Sequence, residues 1–166
     1  MNIRAFLADS VQSVEGKLYV LGAGWNRLAA GGFPARHDRV GIGVIVTLES
    51  ADAGEHNLEL TLMDPHDRPS PLFVDPSGSQ QFAVHASFQT QGPPPPEPVG
   101  LAVPLALNLD GLSFPEPGTY AFAISVDGNE VDRLPFRVDL VADAEADSAG
   151  PPATTTGRGA TDAGYL

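Results

Sequence analysis

The chain reads as an all-β protein: an antiparallel two-sheet β-sandwich of about eight strands, immunoglobulin-like in the broad sense. Three observations predict this. Short segments of period-two apolar alternation follow one another with few helical windows. The connections carry turn chemistry, at 50–54, Asp64-Pro65, 75–78, 91–96 and 115–118. Residues 115–140 read as a complete hairpin, and their Pro-Gly lead into Tyr120-x-Phe122 matches the E–F corner and strand F of immunoglobulin-like domains.

The strands are expected at 3–8, 18–25, 40–48, 57–63, 81–90, 101–109, 119–126 and 131–140. In the third, Val40, Ile42, Val44, Val46 and Leu48 share one face; in the fourth, Leu58, Leu60 and Leu62 do. Phe82, Val84, Ala86 and Phe88 alternate in the fifth. In the last hairpin Tyr120, Phe122, Ile124 and Val126 face inward, as do Leu134, Phe136, Val138 and Leu140 on the return. Pro104 and Pro135 fall mid-strand, where a missing N–H requires an edge or a bulge.

The hairpin's parity constrains its turn. A two-residue loop at Gly128-Asn129 would pair Ile124 with Arg133 and bring Arg133, Pro135 and Arg137 into the core. An odd-numbered loop instead pairs Ile124 with Leu134 and Phe122 with Phe136. A three-residue loop, or a short one followed by a bulge near Asp132, is therefore expected, with Gly128 at positive φ.

Composition sets the outer limits. The 166 residues suit one domain, 1–141, and residues 142–166 change to Ala, Asp, Gly, Pro, Thr and Ser. That segment, of net charge −3, cannot bury enough apolar surface to offset its chain entropy and is expected to be a disordered acidic tail. The chain's net charge is −12, with Lys17 the single lysine, which argues against nucleic acid and against anionic membrane surfaces. There is no cysteine, hence no disulfide or thiolate chemistry. The opening MNIRAFLADS lacks the apolar core of a signal peptide, so a cytoplasmic location is expected.

Candidate sites are sparse. Asp64, His66 and Asp67, with Asp75 a loop away, form the one metal-like cluster, since sandwich loops can hold calcium through oxygen ligands. The spacing lacks the dense Asp/Asn/Gly pattern of a dedicated calcium loop, and Asp-Pro pairs ordinarily initiate turns. No cofactor is expected. His37, His56, His66 and His85 are scattered without metal-ligand or nucleophile spacing; His85 is expected on the solvent side of its strand. Gly22-Ala-Gly24 lacks the helix and third glycine of a dinucleotide loop. Trp25 is expected to seal the core. The polyproline run at 93–96 is expected to be a stiff connection. What stands out instead is what outer faces lack. Thr119, Ala121, Ala123 and Ser125 carry no charge, nor do Gly41, Gly43, Ile45 and Thr47, nor Ala102, Pro104 and Ala106. Small uncharged faces admit a close neighbour, so Ile45, Ala121 and Ala123 are the candidate interaction face.

The run LADSVQSVEGKLYVLGAGW resembles the opening of a bacterial family of uncharacterised proteins with an A-D-x6-G-K-L-Y-x-L-G-x-G-W pattern. The resemblance continues through VPLALNL and PGTYAFAISVDG, spanning about residues 3–140. It implies a compact bacterial β-sandwich and no particular chemistry. The expected role is a non-enzymatic protein-interaction or assembly module with a protein partner or a second copy. One alternative is a carbohydrate- or calcium-binding sandwich using the loops of Trp25, His37 and Asp64 to Asp75. The other is a hydrolase whose site is not readable from sequence.

Overall fold

The computed structural model describes residues 1–49, 51–89 and 100–141; the 93–96 run and the 142–166 tail lie outside them. Among these residues the protein is all-β, with several sheets, one of them curled as a half-barrel. Its strands are β1 (Asn2–Ala8), β2 (Ser10–Val14), β3 (Lys17–Leu21), β4 (Arg27–Ala30), β5 (Ala35–Leu48), β6 (Glu55–Met63) and β7 (Pro69–Ser70). The rest are β8 (Phe73–Val74), β9 (Gln80–Gln81), β10 (Ala83–Gln89), β11 (Leu101–Phe114), β12 (Gly118–Val126) and β13 (Asn129–Leu140). One sheet has the order β1-β5-β11 and a second β10-β6-β12-β13-β4, with β7 beside β6. Two small hairpins, β2–β3 and β8–β9, complete the set.

The apolar stripes of β5, β6 and β12 are where the alternation places them, whereas Leu140, expected inward on β13, is 56% exposed. Val40 to Leu48 on β5 meet Leu58, Leu60 and Leu62 on β6 and Tyr120, Phe122 and Ile124 on β12 in one buried core. Each such side chain contributes roughly 1.5–3 kcal/mol on burial, so a one-residue slip of any central strand is prohibitive. Phe114, Tyr120, Phe122 and Phe136 form an aromatic group at its centre, with ring centroids 5.0–5.9 Å apart. Tyr120 is fully buried and its hydroxyl donates to the Glu116 carbonyl at 2.8 Å.

Several expectations need correction. More strands exist than the eight expected, because β2, β4, β7, β8 and β9 are too short or too polar to show alternation. Pairing is not antiparallel throughout: β13 runs parallel to β4, Arg137 opposite Arg27. The second expected strand stops at Leu21, where Gly22 and Gly24 take φ of 62° and 97°. Phe82 leaves the stripe, 40% exposed between β9 and β10.

The last hairpin keeps its expected parity but not its expected partners. Phe122 faces Leu134 and Ile124 faces Asp132, a shift of one pleat repeat from the expected pairs. The turn is Asp127-Gly128, both at positive φ (51° and 81°), the conformation that matches the twist of a hairpin. A bulge at Val131, between the Ile124–Asp132 and Ser125–Glu130 pairs, then restores the parity.

Both mid-strand prolines sit where a donor is dispensable. The Ser13 hydroxyl donates to the Pro104 carbonyl, so the Pro104 nitrogen also points off the open edge of β11. On β13 the Arg137 N–H donates to Asn26 on the β4 side, so Pro135 points to that side too, before β4 begins. The two large sheets approach at β1 and β13 without a ladder. The Ala5 N–H donates to an Asp132 carboxylate oxygen at 3.2 Å, in place of a strand partner.

β5 is enclosed on both faces. Its outer side carries Gly41 and Gly43, and a Cβ on them would lie 2.9 Å from the Ser10 backbone and 2.3 Å from the Phe6 ring. Phe6 stands directly across from Gly43. The small residues there thus admit a neighbour supplied by the same chain.

Tyr120→Phe should cost about 1–3 kcal/mol in denaturant melts, since the Glu116 acceptor loses its buried partner, and Phe122→Ala roughly 3–5 kcal/mol. Gly43→Ala should cost ~1–3 kcal/mol by overpacking against Phe6. Combining it with Phe6→Ala should be less harmful than the two effects added; strict additivity would deny the contact.

Candidate functional site

The β2–β3 hairpin lies across the outside of the β1-β5-β11 sheet. Its turn, Glu15-Gly16, has both residues at positive φ (50° and 70°), the same tight geometry as the last hairpin. One side chain clamps it down. Asn108 of β11 donates through Nδ2 to the Val11 carbonyl at 2.8 Å and accepts the Val11 N–H at 3.1 Å. Val11 is buried, while Leu18 and Val20 are half-buried beneath the hairpin.

The opposite side of the hairpin is open and mixes Ser10, Gln12 and Lys17 with apolar side chains. Tyr19 and Leu21, two apart on β3 and therefore on one face, are 56% and 71% exposed. With Ser10 and Gln12 across from them they border a hollow of about 320 Å³. Ser10–Val14 was not among the expected strands; the missed signal was Glu-Gly between two runs of β-forming residues.

The expected interaction face is more covered than its composition suggested. Ile45 is half-buried, and Ala121 and Ala123 are 8% and 7% exposed. Arg133 rises from β13 opposite Ala123 and ion-pairs with Asp67, beyond β6, at 2.7 Å and with Glu130 at 2.9 Å. Its side chain therefore crosses β12, where only small residues leave it room. These two carboxylates, Glu130 first, hold the guanidinium charged more firmly than usual.

Asp64, Asp67 and Asp75 are not brought together. Asp64 accepts the His66 and Arg68 N–H groups and pairs with the Arg68 side chain at 2.9 Å. Burial pushes its carboxyl up, but Arg68 and the His66 N–H hold it below the ordinary value on balance. Asp75 accepts the Ser77 hydroxyl and the Ser77 and Ser79 N–H groups, which lower its pKa. These are turn bonds of the kind Asp ordinarily makes. Among the described residues no three His, Cys, Asp or Glu side chains are grouped to hold a metal ion.

Of the histidines, His85 is exposed on the outer face as expected. His37 meets Trp25 edge-on at 6.2 Å and lines a 260 Å³ cleft with Arg36, Phe114 and Val138. Trp25 packs against the core, edge-on to Phe136, with its Nε1 buried and without a hydrogen-bond partner among the described residues. His56 is the one that sequence spacing concealed. Its Nδ1 lies 2.7 Å from Asp127, its Nε2 3.2 Å from the Asp52 carbonyl, and its ring stacks on Phe88. Both nitrogens face acceptors, an arrangement that only the imidazolium satisfies fully. Asp127 raises the His56 pKa; burial opposes and the Asp52 carbonyl assists. His56, then the Asn57 N–H, lower that of Asp127.

The pair thus gives a pH dependence of stability. With its folded pKa raised, His56 stabilises fully below about pH 6.5 and loses that contribution as pH rises through the folded value. Asp127, depressed, contributes above the ordinary carboxylate range and loses its share on acidification. The melting advantage of the native chain over His56→Gln should therefore be larger at about pH 6 than at pH ~9. An advantage independent of pH would show that the ring acts by packing alone.

No curated protein matches the chain significantly. Residues 3–139, which include the N-terminal pattern, the β2–β3 hairpin and all but the first residue of β1 and the last of β13, match one family model. The chain belongs to the family of unknown function DUF6941.

Proposed function

We propose that this protein is a non-enzymatic protein-interaction module, built on an immunoglobulin-like sandwich in the broad sense, that binds a protein partner through the outer face of β2–β3. The sandwich reading is supported by the Tyr120 corner and by a core shared between the two larger sheets. The interaction reading rests on one observation: Tyr19 and Leu21 stand exposed side by side on a hairpin that is itself clamped to the sheet. Aromatic anchors on a rigid support cost little entropy on binding, and tyrosine is enriched at interface hot spots. The low charge of the chain, 18%, is also in keeping with a surface that desolvates easily.

A second reading, a small polar ligand in the cleft lined by Arg36 and His37, is favoured by the Trp25 ring that backs His37 edge-on. Ligand binding there would raise the melting temperature in a sugar panel.

Affinity capture with the full chain should retain a defined partner. Tyr19→Lys and Leu21→Asp should each lose that partner while melting within about 0.5 kcal/mol of the native chain, as exposed positions do. Undiminished capture by both variants would remove the hairpin from the function.

A further inference from the structure

Unpaired strand edges invite further pairing, and most edges of this fold are blunted. β1 is met by the Asp132 carboxylate. β11 carries Pro104 and lies under the β2–β3 hairpin. The open stretch of β13 carries Pro135. β4 has only 4 residues, and β3 begins with Lys17. Among the described residues β10 ends the β10-β6-β12-β13-β4 sheet, and its 7 residues include no proline, lysine or carboxylate.

Asn57 of β6 donates its N–H to the Asp127 side chain and accepts the Asp127 N–H, so it points toward β12. Leu58 and Leu60 therefore point toward β10, where they face Ala86 and Val84. It follows that Ala83, His85 and Ser87 present their N–H and C=O groups outward. The Ala83 carbonyl accepts from the Gln81 side chain at 2.9 Å, which fits this assignment and closes off one end of the edge.

We propose that β10 pairs antiparallel with β10 of a second copy of the chain, with Ala86 at the two-fold axis. This goes beyond the hairpin reading and uses a different edge of the protein. In this register His85 and Ser87 of opposite copies exchange backbone hydrogen bonds, and Ala86 faces Ala86. Val84 faces Phe88 on the inner side, extending the core stripe across the seam. A second copy fits because the strand is complementary to itself: outward residues meet outward residues and the larger apolar pair forms twice. Charge agrees. A chain of net charge −12 resists its own copy least along a strand with no carboxylate of its own. The one titratable residue of β10, His85, which stands between Ser87 of the other copy and Glu59 of β6 at 3.7 Å, sets that carboxylate one strand back from the seam. Such a contact is isologous and stops at two copies.

Sedimentation equilibrium over a concentration series should show a reversible dimer of the full chain. Ser87→Pro should abolish it without loss of β-sheet circular dichroism, since the Ser87 N–H points away from β6. Ser87→Lys should do the same if the proline variant folds poorly. Ala86→Cys introduces the only thiol in the chain. Directly opposed residues of a non-hydrogen-bonded pair lie about 4.5 Å apart at Cα, within disulfide range. Mild oxidation should therefore link Ala86→Cys into a covalent dimer and leave a Ser113→Cys control monomeric. A native chain that stays monomeric throughout the series overturns the proposal. So does a dimer that persists in the folded Ser87 variants, or cross-linking of Ala86→Cys no better than the control.

Discussion

Two absent side chains hold the N-terminal half of this fold together. Gly41 and Gly43 leave the outer side of β5 flat enough for the Phe6 ring and the Ser10 backbone to lie against it. β5 is also paired along both edges, by β1 and β11, while its inner side carries the core stripe. The strand is thereby enclosed in every direction, and the placement of β2–β3 follows from it. A methyl group at Gly41 would press on the Ser10 backbone of the hairpin and one at Gly43 on the Phe6 ring of β1, so these neighbours would have to shift. Asn108, whose amide satisfies both backbone groups of Val11, would then lose its register with the hairpin. The exposed pair Tyr19 and Leu21 is presented outward because the other side of its own hairpin is consumed by this contact.

Much of the fold was legible because strand alternation reports parity directly. Val40 to Leu48, Leu58 to Leu62 and Tyr120 to Val126 are long enough for the period-two pattern to leave one reading, and all three face the core. Parity also required a bulge or an odd loop in the last hairpin, and a bulge at Val131 is present. Parity does not fix which even register is chosen, because a shift by two residues preserves every face. The choice between Leu134 and Phe136 opposite Phe122 was made by the Asp127-Gly128 turn, whose positive φ at Asp127 is weakly encoded. Strands of four or five residues, such as β4 and β2, are fixed by tertiary partners rather than by their own pattern.

The polar sites were less legible for a different reason. Asp64 and Asp75 bond to residues two to four positions away, so local turn chemistry described them well. His56 and Asp127 lie 71 residues apart, and Arg133 reaches Asp67 across 66. Nothing in the spacing of these residues announces such pairs, because they depend on β6, β12 and β13 lying side by side. The uncharged appearance of the β12 outer face was accurate for its own strand. What it omitted was that a neighbouring strand could lend an arginine to cover it.

The seam between Ala5 and Asp132 and the parallel contact of β4 with β13 bear on how the chain is made. These partners are separated by up to 127 residues, so the first strands emerge from the ribosome long before the last one exists. At roughly 5–20 residues per second the N-terminal strands wait on the order of ten seconds for their C-terminal neighbour. During that interval β1 can find β5, and β2 can close on β3, as local units. The second sheet stays without its central pairing until β12 and β13 are synthesised. Pro104 lies on an edge strand, β11, that is made before β12 and β13, and there it denies a foreign strand one hydrogen bond while the second sheet is incomplete.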